Sequence, residues 1–136
     1  MNKNKRKSLE KTYQQFINAG LTSNNLEILD EVADHNVMGF GTTFDEKIFS
    51  LADLRELMRI QKEQRENLSL TWDIKPLHRH IADDENTAVF ADDLFLNFTT
   101  GCETVEMYLR ISVVLEYKNG KWKVIHWHGS KPENIK

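Results

Sequence analysis

The spacing of apolar residues divides the chain into a helical first half and an alternating second half. From Ser8 onward, Leu9, Tyr13, Phe16 and Ile17 recur at three- and four-residue steps, so they share one side of a helix that Ser8 can cap and Gly20 can close. After Asn24 and Asn25, the positions Leu26, Leu29 and Val32 or Ala33 repeat the pattern. They predict a second, short helix forming a hairpin with the first. The apolar run Val37–Gly41 reads as a short strand whose glycines let another backbone approach closely. A third helix is expected from Leu51 to about Arg65, with Ser50 as its cap and Leu54, Leu57, Met58 and Gln61 as its inward stripe. Its end, Lys62–Glu66, reads as a solvated face with charges at helical pair spacing.

Past Asn67 the period changes to two. Strands are expected over 68–81, 87–98, 103–118 and 121–127, separated by the turn segments Asp83–Asn86, Thr99–Gly101 and Asn119–Gly120. Asn-Gly between alternating runs is a strong hairpin signal. Pro76 interrupts the first long strand, which places that strand at a sheet edge or puts a bulge there. Residues 1–7 form a basic tail expected to fray, 8–131 a single domain, and 132–136 a loose end. Helices first and a meander of strands second is an α+β order. Helices on one face of a curled sheet leave a cavity between the layers, where function is expected.

Composition narrows the classes. A chain of 136 residues supports one hydrophobic core, and 40% apolar with 29% charged residues is the balance of a folded domain. A net charge of −3 gives no general attraction to nucleic acid or to an anionic membrane, so neither is an expected partner. The single Cys102 excludes an internal disulfide and fits a reducing, cytoplasmic compartment. The basic start is followed by SLEKTYQQF rather than an apolar run, so it does not read as an export signal, and no stretch has the length of a membrane span.

The segment Leu109–Pro132, with Arg110-Ile-Ser112, the Asn119-Gly120 turn, Trp122-Lys123-Val124 and His126-Trp127-His128-Gly129-Ser130, resembles the closing hairpin of SnoaL-like domains of the nuclear transport factor 2-like superfamily. Val37–Glu46, with its Gly-Thr and Asp-Glu, is similar to that family's first strand. The ending is also similar to the association domain of calcium/calmodulin-dependent protein kinase II. That domain carries arginines where this chain has Gly129 and Val113, so its anion pocket does not carry over. The resemblance implies a cone of N-terminal helices on a curved, mainly antiparallel sheet, a pocket, and a homodimer.

Candidate site residues follow from the hairpin register. A two-residue Asn119-Gly120 turn pairs Tyr117 with Trp122, Leu115 with Val124, Val113 with His126 and Ile111 with His128 on one face. That face is apolar except for its histidines, so His126, His128 and Val113 are expected to line the pocket, with Tyr13, Phe16 and Trp72 as walls. A bulge before His126 would exchange the faces. The opposite face, with Arg110, Ile125 and Trp127, is the expected dimer surface. Asp92 and Asp93 lie on a strand that, if regular, turns one of them inward, whereas a bulge leaves both in solvent. Asp34 and His35 precede the first strand as a cap or turn pair. Asp92 and Asp34 are thus the candidate acid–base carboxylates. His78 and His80 form a second His-x-His, but Arg79 lies between the rings and no carboxylate matches, so neither metal nor cofactor is expected. The leading expectation is a ligand-binding or sensory module for a small apolar or carboxylate-bearing ligand. Two alternatives stand beside it. One is an isomerase, dehydratase or cyclase using His126 or His128 with Asp34 or Asp92, and the other is a structural oligomerisation domain.

Overall fold

The structure is a computed structural model and describes residues 1–22 and 26–133. In chain order it contains α1 (Lys3–Thr22), a 3₁₀ turn (Leu26–Ile28), α2 (Leu29–Val32), β1 (Ala33–Phe40), β2 (Lys47–Ile48), α3 (Leu51–Gln64), β3 (Ser69–Ile81), β4 (Thr87–Thr100), β5 (Glu103–Lys118) and β6 (Lys121–Ser130). The expected α+β class and helix-on-sheet layering are present. Among the described residues no helix is long and apolar enough to cross a membrane.

Three boundaries differ from expectation, each for a local reason. α1 begins at Lys3, so the basic segment is helix rather than a frayed tail. Lys5 holds it down. Its carbonyl accepts the Trp122 indole N–H at 3.2 Å, and its ammonium lies 4.2 Å from the centre of the Tyr117 ring. Second, β1 begins at Ala33, which places Asp34 and His35 inside a strand rather than before one. Third, β4 and β6 run past their expected ends, to Thr100 and Ser130. The helix turn expected at Asn24–Asn25 lies outside the described residues, as does 134–136 of the expected loose end; 131–133 has no regular structure.

The strands form one sheet in the order β2-β1-β6-β5-β4-β3. β1 runs parallel to β6 and every other pairing is antiparallel. The β1–β6 contact explains Gly39, where a Cβ would collide with the Trp127 carbonyl. Pro76 meets both conditions set by its chemistry. β3 is the sheet edge, and the register shifts between Pro76, opposite Asp92, and His78, opposite Ala91.

The β5–β6 hairpin corrects the expected register. Asn119 and Gly120 both have positive φ, 53° and 78°, as a type I′ turn requires. Pairing then runs as expected through Leu115 opposite Val124, after which Val114 pairs with His126 and Ile125 is extra. Beyond this bulge Val113 faces Trp127 and Ile111 faces Gly129. A one-residue shift turns every later side chain over, so the two histidines leave the concave face and Trp127 enters it.

The concave face and the helices enclose the core. Leu9 and Tyr13 of α1, Leu54 of α3, Phe90, Val113, Leu115, Trp122 and Val124 are all buried. α3 is fixed at its start by Ser50, whose hydroxyl accepts the Asp53 N–H at 3.1 Å. Arg55 joins it to α2 through Asp30 at 2.6 Å.

Candidate ligand cavity

The two ends of the curved sheet are filled differently. At one end, inward residues Ala88, Phe90 and Asp92 of β4 meet the middle of α1, and the space is closed. Tyr13 stands edge-on to Phe90 with ring centres 4.5 Å apart. Its hydroxyl donates to Asp92 Oδ2 at 2.5 Å. Arg79 Nη1 and Nη2 donate to the two Asp92 oxygens at 2.6 and 3.0 Å, and the Leu77 N–H released by the bulge reaches Oδ1 at 3.1 Å. Asp92 is therefore a regular-strand residue turned inward, with its side chain fully buried and both oxygens occupied. Burial, then the hydrogen bond and charge of Asp92, push the Tyr13 hydroxyl far above its ordinary pKa. Burial alone would lower the Arg79 guanidinium, but hydrogen bonding and charge from Asp92 hold it above its ordinary value.

At the other end the same strands carry Leu94, Leu96 and Phe98 on β4 with Met107, Leu109 and Ile111 on β5, and these line a cavity of about 240 Å³. Phe16, Ile17, Gly20 and Leu21 of α1 form one wall, and Met58 and Gln61 of α3 another. Trp127 and Gly129 of β6 close the third side. Two glycines leave this space open. Gly129 is the inward residue opposite Ile111 and Gly20 faces Met58, so neither contributes a side chain where its neighbours contribute large ones.

The polar residues bordering the cavity are Thr42, Glu46, Gln61, Gln64 and Arg65, with the Trp127 indole. Glu46 spans the loop between β1 and β2, where its Oε1 accepts the Thr42 N–H at 3.0 Å. The Trp127 indole N–H is buried and, among the described residues, has no hydrogen-bond partner. Arg65, the residue after α3, sends Nη1 to the Leu21 carbonyl at 3.3 Å. Burial lowers its pKa, and Glu46 opposes this more weakly.

The structure separates the residues expected to act together. Phe16 lines the cavity, whereas Tyr13 and Val113 belong to the closed core. Trp72 lines an adjoining crevice with Leu70, Lys62 and Arg65. His126 and His128 lie on the convex face, correcting their expected place in the pocket. His126 pairs with Met38, and burial, then the charge of His128, lowers its pKa. His128 stands edge-on to Phe40, with ring centres 5.8 Å apart. Asp34 lines a polar crevice with Glu116, Lys118 and Lys123, and Ile125 sits there too. The imidazoles and the two candidate carboxylates therefore do not converge on one space. Of the expected dimer face, Arg110 stays on the convex side while Trp127 turns inward. Sequence reasoning missed Arg65, read as part of a solvated face, and Gly129, read only as a lost arginine. For Gly129 the signal was two adjacent apolar residues, Val124-Ile125, in an otherwise alternating strand; Arg65 carried none, since the helix was expected to run to it.

A family model described as a SnoaL-like domain matches residues 9–133. Among solved structures, a ketosteroid isomerase-like protein from Erwinia carotovora atroseptica aligns with a TM-score of 0.76 at 10% identity, covering 98% of this chain and 100% of that one. An NTF2-like protein of unknown function from Pseudomonas putida KT2440 also gives 0.76, at 15% identity over 99% and 92%. A putative calcium/calmodulin-dependent protein kinase type II association domain from Thiobacillus denitrificans gives 0.73, at 18% identity over 91% and 94%. At these identities the likeness is one of fold. No curated protein matches the chain.

Proposed function

The chain belongs to the SnoaL-like family, and from that premise we propose that it is a homodimeric ligand-binding or sensory module of the cytoplasm. Its guest is a small molecule with an apolar body, either neutral or bearing one carboxylate. The observation that carries this reading is the cavity of about 240 Å³ under an apolar roof, at the open end of an otherwise tightly packed sheet. An apolar cavity of roughly 150 Å³ already admits a benzene-sized guest. No acid–base pair among the expected residues reaches it, which favours binding over proton-transfer chemistry. The reducing compartment rests on the lone, exposed Cys102.

Support for the dimer comes from the convex face. Met38, Phe40, Phe95 and Tyr108 are exposed there, with Phe95 stacked on Tyr108 at 5.1 Å. Charges of both signs, Arg110 and Lys123 against Asp93 and Glu116, flank them, so two copies related by a twofold axis can pair opposite charges. Light scattering on the native protein should give twice the chain mass, and Phe40→Glu should give a monomer. A native monomer would refute the dimer.

Calorimetric titration with toluene and hexanoate tests the cavity. Binding of either guest should weaken at least about tenfold in Gly129→Leu, because a side chain there projects into the space. A Cβ at this position meets only ordinary contacts, 3.6 Å to the Trp127 ring and 3.9 Å to Ile111, so folding should survive. Equal binding by both proteins would sink the assignment.

A further inference from the structure

The cavity is not isolated. On the far side of Arg65 lies a second space of about 300 Å³, lined by Leu68, Leu70 and Trp72 of the β3 region with Lys62 and Glu66. Arg65 and Leu21 border both spaces, and the 3.3 Å bond from Arg65 Nη1 to the Leu21 carbonyl lies between them. The inner space is walled mainly by apolar side chains, with Glu46, Gln61 and Gln64 at its polar edge, while the outer one carries two cations, one carboxylate and an indole. We propose that Arg65 is a movable partition within one two-chamber site. In this site its guanidinium leaves the Leu21 carbonyl to bind the carboxylate of an elongated apolar acid whose chain lies in the inner chamber.

The chemistry favours that exchange. A guanidinium has five N–H donors, and among the described residues this one makes a single hydrogen bond, a long one to a neutral acceptor. A carboxylate offers two shorter, charge-assisted bonds in the geometry of the guanidinium fork. The guanidinium is already half removed from water, so the anion gains more there than at an exposed arginine, and Lys62 adds a second positive charge. Phe98, with its ring centre 5.7 Å from the guanidinium carbon, gives the plane a surface to slide across. Moving the side chain joins the chambers without moving the backbone, since the Arg65 N–H stays bonded to the Gln61 carbonyl at 3.1 Å.

This inference rests on the cavity being a binding site, and the test separates the two. Straight-chain alkanoates of about six to twelve carbons are titrated beside alkanols of equal length and beside toluene. On the native protein each alkanoate should bind at least about tenfold more tightly than its alkanol. In Arg65→Met that preference should vanish, with the alkanoate and the alkanol of each length binding alike. Trp72 emission, read in Trp127→Phe where buried Trp122 is a constant background, should respond to alkanoates and not to toluene. If alkanoates and alkanols bind alike and Trp72 does not respond, the partition is wrong while the cavity reading stands. If toluene, alkanols and alkanoates all fail to bind, both fall. Should Arg65→Met not fold, the alkanoate-to-alkanol ratio and the Trp72 signal still decide the matter.

Discussion

The closed and open ends of the sheet are built from the same strands and differ in what their inward residues demand of one another. At the closed end Asp92 is answered by Tyr13, Arg79 and the Leu77 N–H, and the Trp122 indole by the Lys5 carbonyl. At the open end two groups are not fully answered, the Trp127 indole N–H and the Arg65 guanidinium, and glycines stand where side chains could have filled the space. Buried groups left partly unsatisfied reduce stability, and they are tolerated where something else can satisfy them. The contrast sets satisfied polar contacts at one end against open space at the other.

Asp92→Ala should break the comparison most severely. It strands the Tyr13 hydroxyl and leaves the Arg79 guanidinium only the His78 carbonyl and Glu10, and loss of one member of such a buried pair costs about 3–5 kcal/mol. Urea unfolding should record that loss, and a loss below about 1 kcal/mol would mean the closed end is not the keystone. Gly20→Ala sharpens the comparison from the other side. The added methyl meets Met58 at an ordinary 3.5 Å in a helix, so it should stabilise by about 0.5–1 kcal/mol, which shows that the open end is not optimised for stability. A fall in stability would refute this.

The smallest effect concerns acid, and it separates the convex face from both ends. Burial, then the neighbouring His128, lowers the folded pKa of His126. Above the ordinary imidazole value of about 6.5 the ring is neutral folded and unfolded and contributes nothing. As pH falls below that value the unfolded chain takes up the proton first, so stability declines until pH passes the lowered folded pKa, below which the loss is complete. His126→Gln should flatten that window, measured as midpoint against pH. An unchanged profile would place the acid sensitivity elsewhere.

Much of this was legible in the sequence because periodicity reports burial. The change from helical to alternating spacing at Asn67, the Asn119-Gly120 turn and the choice of edge or bulge that Pro76 imposes each follow from local geometry. The site was less legible because it depends on one extra residue. Ile125 bulges, and every side chain after it changes face, exchanging the two histidines for Trp127 and Gly129. Asp92 illustrates the reverse: the strand stayed regular because partners from α1 and β3, distant in sequence, satisfied its carboxylate. Arg65 eluded pattern reading for a similar reason. Its neighbours Glu56, Arg59 and Glu63 do pair on the solvated face at helical spacing, whereas Arg65, just past the helix, turns toward Leu21.

The methionines offer the most direct measurement, because two line the open end and two do not. Met58 and Met107 border the cavity, Met38 lies exposed on the convex face, and Met1 starts the chain. With ¹³C-labelled methionine methyl groups, titration with toluene should shift the Met58 and Met107 resonances and leave Met1 and Met38 in place. Resonances of Met58 and Met107 that stay fixed at saturating toluene would contradict the account.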